Sequence, residues 1–209
     1  MEYARALDLA HELVCDLRSE CEQIAIAGSV RREKAEVKDL ELVAIPKFEL
    51  VPILDMFGQQ MGVDRVNLLE ERLDALLEPC TWPWAFDAML RRNGPHYKRL
   101  WNEEARIACD LFLTTERGWG GAMAIRTGPA DFSQALVTLA LRRRMHVADG
   151  CLLHGHPKDD GCTKGELCPL IVPTLTEEAF FQALGLKWVD PRSRTAEAIW
   201  RDERRRVTA

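Results

Sequence analysis

Apolar residues recur at helical spacing through residues 3–22. Ala6, Leu7, Leu9, Ala10, Leu13, Val14 and Leu17 form one broad stripe, which predicts an N-terminal amphipathic helix. The pattern then shortens. Residues 24–27 are a brief apolar run that reads as a buried strand entering a turn at Gly28, and residues 39–46 read as a second strand closed by Pro46. Helices are predicted over 50–60 and 66–78, the latter with Leu68, Leu69, Leu73, Leu76 and Leu77. Pro79 and Trp82-Pro83-Trp84 interrupt it, and Asn93-Gly94 before Tyr97-Lys98-Arg99-Leu100-Trp101 suggests a hairpin turn into a strand. Residues 107–113 read as a buried strand, and 118–121, with three glycines around Trp119, as a loop. Residues 130–145 predict a helix with Phe132, Leu136, Leu139 and Ala140 inward and arginines at its end. The order implies an α+β chain: a mixed α/β part over 1–127, then a small, mainly helical part over 128–209. There is no internal repeat and no low-complexity tract.

At 209 residues the chain can bury a proper core. No run reaches membrane-spanning length, and the acids in the first helix do not suit a signal peptide, so no membrane partner is expected. Seven cysteines is an odd number, which argues against a disulfide framework and for a reducing cytoplasm. The net charge of −5 argues by itself against a nucleic-acid partner, but its distribution changes the picture. Basic clusters stand at Arg31-Arg32, Arg91-Arg92, Lys98-Arg99, Arg142-Arg143-Arg144 and Arg204-Arg205-Arg206. One such cluster is as readily a solvated helix face. Several of them flanking a metal site read as a track for a phosphate backbone, with Arg142, Arg143 and Arg144 the candidate DNA contacts.

The chemistry concentrates at Gly28-Ser29-Val30-Arg31-Arg32 and at Asp39-Leu40-Glu41. On a strand Asp39 and Glu41 point to the same side, and carboxylates held together need cations between them. Two Mg²⁺ ions about 3.5–4 Å apart, bridging to a triphosphate, are the common solution, with Mn²⁺ as an alternative. The Gly-Ser turn offers backbone N–H groups and a hydroxyl suited to phosphate oxygens. Together these parts suggest a nucleotidyltransferase.

The segment over 27–46 resembles the core of the family X DNA polymerases, which carry a Gly-Ser-x-Arg-Arg element and then an Asp-x-Asp on a palm strand. Three further blocks follow in the family's order. Ile107-Ala108-Cys109-Asp110-Leu111-Phe112-Leu113 is similar to the strand bearing the third acid, and Ile125-Arg126-Thr127-Gly128 to a Tyr-Phe-Thr-Gly segment leading into a thumb helix. Pro173-Thr174-Leu175-Thr176-Glu177-Glu178 with Leu184-Gly185-Leu186 is similar to the thumb's ending. The resemblance implies a nucleotidyltransferase palm with a short mixed sheet flanked by helices, followed by a thumb. It implies Asp39, Glu41 and Asp110 as catalytic metal ligands, and Gly28, Ser29, Arg32, Arg126, Thr127 and Gly128 as nucleotide-binding residues. It implies a dNTP and a DNA primer-template or gapped DNA as partners, and a monomer.

Several positions depart from the pattern. Glu41 stands for the usual Asp, which lengthens the arm by about one bond. Ile125 and Arg126 replace the Tyr-Phe pair beside the sugar, Ser133 a common Asn at the base edge, and Val137 an arginine that reaches the template in one member. No helix-hairpin-helix pattern and no room for a lyase domain are found, which implies a minimal palm-plus-thumb form.

Cys151, His154, His156, Cys162 and Cys168 fall in one short segment where the family thumb has a hairpin. Sulfur and imidazole ligands in a loop suit a structural Zn²⁺, although the spacing is not that of a standard finger and a Gly-Pro-rich hairpin with incidental Cys and His fits too. The sequence therefore points to a family X-type DNA polymerase for short-gap repair. A template-independent or ribonucleotide-adding nucleotidyltransferase and a non-catalytic nucleic-acid-binding module are the alternatives.

Overall fold

The computed structural model describes residues 1–78, 82–86, 93–155 and 168–207. Helix α1 (Tyr3–Leu17) buries Ala6, Leu9, Ala10, Leu13 and Leu17, the stripe expected from the sequence. It ends sooner than expected, because a single 3₁₀ turn (Arg18–Glu20) leads into strand β1 (Cys21–Ile26). The short helix α2 (Gly28–Arg31) follows, then β2 (Asp39–Pro46).

Residues 48–67 correct the sequence reading. In place of a helix over 50–60 stands a β-hairpin of β3 (Phe48–Leu54) and β4 (Gln60–Asn67). The β-branched Val51 and Ile53 favour extended backbone, Pro52 opposes a helix interior, and Gly58 takes φ +79° beside the turn. Helix α3 (Leu68–Leu77) then begins behind Asn67, whose side chain accepts hydrogen bonds from the N–H groups of Leu69 and Glu70.

Strands β5 (Trp84–Phe86), β6 (Tyr97–Asn102) and β7 (Ile107–Leu113) complete a five-stranded mixed sheet in the order β1-β2-β7-β6-β5. Only β2 and β7 run parallel. The main core lies between this sheet and helices α1 and α3, around Leu13, Leu17, Leu40, Leu42, Leu69, Leu73, Leu100 and Leu111.

The glycines of 118–121 open a helix, α4 (Trp119–Thr127), and not the expected loop. They are there for close approach. A Cβ on Gly120 would stand 1.9 Å from the Thr176 carbonyl oxygen, and one on Gly121 2.2 Å from that of Gly150. Helix α5 (Ala130–Arg142) stops before β8 (Met145–Ala148), so the helix predicted to 145 is shorter. Strands β8, β9 (Cys151–His154) and β10 (Ile171–Val172) form a small sheet beside α5, α6 (Glu177–Ala183) and α7 (Ala196–Val207). Phe132, Leu136, Leu139, Phe180, Phe181 and Ile199 form their shared core, which Ala124 of α4 joins. The chain is α+β, and its second part carries a three-stranded sheet beside its helices. Among the described residues no helix is long and apolar enough to cross a membrane.

Candidate functional site

Strand register builds the acidic centre. Parallel pairing of β2 with β7 sets Glu41 opposite Asp110 and Asp39 opposite Ala108, while β6 sets Arg99 opposite Asp110 on the other side. Glu41, Asp110 and Arg99 therefore form one row across the sheet, with Asp39 two residues before Glu41 on the same face. Asp110 Oδ1 accepts from the Tyr97 hydroxyl at 2.7 Å and from Arg99 Nη1 at 2.5 Å. The Glu41 carboxylate turns the other way, into space that only a glycine leaves open. A Cβ on Gly28, which sits at φ +60°, would meet Glu41 Oε2 at 1.9 Å.

The three acids thus share a face, but their oxygens do not converge. Among the described residues no group of three or more His, Cys, Asp or Glu is poised to hold a metal ion. The reason is local, since Asp110 is drawn to Arg99 and Tyr97 while Glu41 lies against Gly28.

Crowding shows in the protonation equilibria. Burial, followed by the charge of Asp39, pushes the Glu41 carboxyl up to about 7, and Arg32 and Arg126 only partly oppose this. Burial and then Asp110 raise Asp39 as well. A raised folded pKa means that the native protein binds the extra proton. The Glu41 contribution then favours the fold at low pH and is lost as pH rises from about 4.5 through about 7. Stability in metal-free buffer is expected to fall across that window, by at most about 1.4 kcal/mol for each tenfold difference in proton affinity between the folded and unfolded chain. Glu41→Gln should flatten the slope. Thermal melts of both proteins between pH 5 and 8 check this, and parallel slopes would refute it.

The Gly-Ser turn faces the acids from β1 and α2. The Ala27 N–H donates to the Glu41 carbonyl at 2.8 Å, which ties the turn to β2. Ser29 Oγ and Arg32 Nε are buried and lack a hydrogen-bond partner within the protein. Unsatisfied buried donors are costly and rare, and two of them at the head of a Gly-Ser turn suit an anion. Arg32 Nη1 donates to the Thr127 carbonyl at 2.5 Å.

Arg31 reaches in the other direction. It donates to Thr127 Oγ1 at 2.8 Å and to Glu177 Oε2 at 2.6 Å. The other Glu177 oxygen accepts from Arg194 Nη2 at 2.9 Å, and Arg194 also donates to the carbonyls of Ala124 and Val189. Burial alone would raise the Glu177 carboxyl, but its two arginines hold it below the usual carboxylate range. The sequence pattern singles out Glu177 without a role and leaves Arg194 unmarked. Tyr97 and Arg99 were also missed, although their alternation on β6 placed them on one face.

The other expected residues divide. Arg126 stacks its guanidinium 3.7 Å from the Phe112 ring centre and lines a cleft of about 590 Å³ with Tyr97, Asp110, Ile125 and Val137. Thr127 is fully buried and its hydroxyl is committed to Arg31, while Gly128 packs against Phe132. Arg142 stacks over Trp200, Arg143 bonds Glu203, and Arg144 is exposed. Cys151 and Cys168 share a buried cluster with Leu153, whereas His154 is exposed, on the opposite face of β9 from Cys151. His156 and Cys162 lie outside the described residues, as do Arg91, Arg92 and Cys80.

Residues 122–195 match the family model for the DNA polymerase beta thumb. No curated protein matches the chain. Among solved structures, the Leishmania infantum polymerase beta ternary P/T complex is similar at a TM-score of 0.65 and 17% identity, covering 93% of this chain and 76% of that one. The ternary gap complex of the same enzyme gives 0.66 at 16% identity, covering 93% and 70%. The thumb match and these two likenesses make this chain a family X polymerase-like protein, with the polymerase beta fold across nearly its whole length.

Proposed function

We propose that this chain is a DNA polymerase that adds deoxynucleotides to a primer 3′-hydroxyl and fills short gaps. The observation that carries this reading is the placement of Asp39, Glu41 and Asp110 on neighbouring strands beside a Gly-Ser turn with two unsatisfied buried donors. The similarity to polymerase beta structures titled as P/T and gap complexes supports DNA as the partner.

The donor set fits Mg²⁺, a hard cation that takes carboxylate oxygens. Asp39, Glu41 and Asp110 would hold it, and when bound it supplies charge neutralisation for phosphoryl transfer. The protein's own work is positional. Tyr97 and Arg99 hold one Asp110 oxygen and leave Oδ2 for the site. Ser29 Oγ, Arg32 Nε and the backbone at Gly28 receive the triphosphate. Arg126, braced on Phe112, borders the space for the sugar and base.

A primer-extension gel tests the reading. Gapped, nicked and single-stranded DNA are compared with dNTPs and then rNTPs, in Mg²⁺ and then Mn²⁺. Extension dependent on a templating strand and a divalent cation is expected, whereas equal extension of single strands would move the protein to the template-independent class. Arg126 beside an aliphatic Val137 in the cleft is the feature that favours this second reading.

DNA contact through Arg142, Arg143 and Arg144 belongs to the same proposal. Replacing all three with glutamine should flatten the salt dependence of duplex binding by about 0.9 for each phosphate that the variant no longer neutralises. Fluorescence anisotropy across a salt series measures the slope. No change would mean that Arg142 and Arg143 serve only Trp200 and Glu203 of α7.

A further inference from the structure

We propose that the β3–β4 hairpin is the contact surface of a symmetric dimer of this chain. Among the described residues twelve large apolar side chains are exposed, and nine of them lie between Phe48 and Val63. That concentration is out of proportion for a hairpin in a chain of 209 residues.

The strand register sorts the hairpin into two unlike faces. Leu50 pairs with Arg65 and Pro52 with Val63, so Phe48, Leu50, Pro52, Leu54, Met61 and Val63 share one face. Exposure on it runs from 42% at Phe48 to 70% at Leu50 and 73% at Met61. The acids Glu49 and Asp64 fall on the opposite face, with Val51 and Ile53. The only charge on the apolar face is Arg65, whose guanidinium lies 3.7 Å from the Phe48 ring centre.

A two-stranded hairpin is marginal in water by itself, and the apolar face of a sheet has to be covered by another layer. The hairpin forms its own sheet, separate from the five-stranded one. Its nine exposed side chains present on the order of 1,000 Å² of surface, above the ~800 Å² per partner of a standard interface. A second copy supplies a matching layer. Packing the acid-free faces about a two-fold axis brings no like acids together and leaves Glu49 and Asp64 outward in solvent. A nucleic acid is a poorer occupant, because residues 48–67 carry Glu49, Asp55 and Asp64 against Arg65 alone. The hairpin leaves β2 at the end away from Asp39 and Glu41, roughly 20 Å along the strand, so the cleft stays open in the dimer.

Light scattering after size exclusion, and sedimentation across a concentration series, test the proposal on the whole chain. The expected mass is twice 23.8 kDa. Leu50→Asp with Met61→Asp should raise the dimer dissociation constant by roughly 100-fold or more, with circular dichroism unchanged because both residues are exposed. Ile53→Asp, on the other face, should leave the mass at twice the monomer. A wild-type monomer at about 100 μM overturns the proposal and leaves a different protein as the occupant. An Ile53→Asp variant that dissociates as fully as the double variant overturns the assigned face and with it the symmetric packing.

Discussion

Asp110→Asn is expected to lower nucleotide addition by roughly 10³-fold or more, since metal-bound charge at such a centre is worth several kcal/mol. Asparagine is chosen over alanine for a structural reason. Asp110 is the only acid of the three that is bonded to two donors, Tyr97 and Arg99, and Arg99 is largely buried. Asparagine keeps an acceptor for both while removing the carboxylate charge, so loss of activity reports on the site and not on the sheet. Single-turnover extension of a gapped primer measures the rate, and chemical denaturation monitors the fold. Activity within about tenfold of wild type would remove Asp110 from the chemistry. In the same assay Glu41→Asp should retain turnover and Glu41→Ala should lose it. Equal rates for the two would mean that Glu41 only fills the space against Gly28.

The largest effect on stability is expected at Glu177. This one carboxylate neutralises Arg31 and the fully buried Arg194 side chain. Glu177→Ala leaves both cations without it, and removing one partner from a buried ion pair costs about 3–5 kcal/mol. For a protein of this size that is a fall of roughly 10 °C or more in Tm. Glu177→Gln should lose less, because it keeps an acceptor for one arginine. The pH sign is opposite to that of Glu41. The Glu177 carboxyl is held low in the fold, so its contribution is present above the ordinary carboxylate range and is lost as pH falls through the folded value. The wild-type melting curve should therefore lose stability at both ends, in acid through Glu177 and toward neutrality through Glu41. A Glu177→Ala variant within about 1 kcal/mol of wild type would mean that desolvation of the three charges cancels their attraction.

Much of the palm was legible in the chain itself. The α1 stripe, the acid-bearing strand at Asp39–Pro46 and the strand at Ile107–Leu113 all follow from local periodicity, which depends only on which side chains a helix or a strand turns toward a core. The Gly-Ser turn was legible because a left-handed Gly28 has few substitutes. Four ordered blocks pointed to the thumb as well, through resemblance and not through periodicity.

Elsewhere local pattern pointed the wrong way. Residues 50–60 are as apolar as a helix, and the strand signal of Val51 and Ile53 was overridden by that density until the hairpin pairing was known. The glycines around Trp119 read as a loop, since nothing nearby in sequence reveals that Thr176 and Gly150 press against them.

Residue types and their alternation are local properties, so the sequence alone determined which acids share a strand face and which turn stands beside them. The partners of those groups were decided only by the tertiary structure. Arg31 meets Glu177 across 146 positions, Arg194 closes the pair from the far end of the thumb, and Arg99 takes the Asp110 oxygen across a strand pairing. A buried charge acquires its counter-ion from whatever the fold brings within reach, and sequence distance carries no information about that.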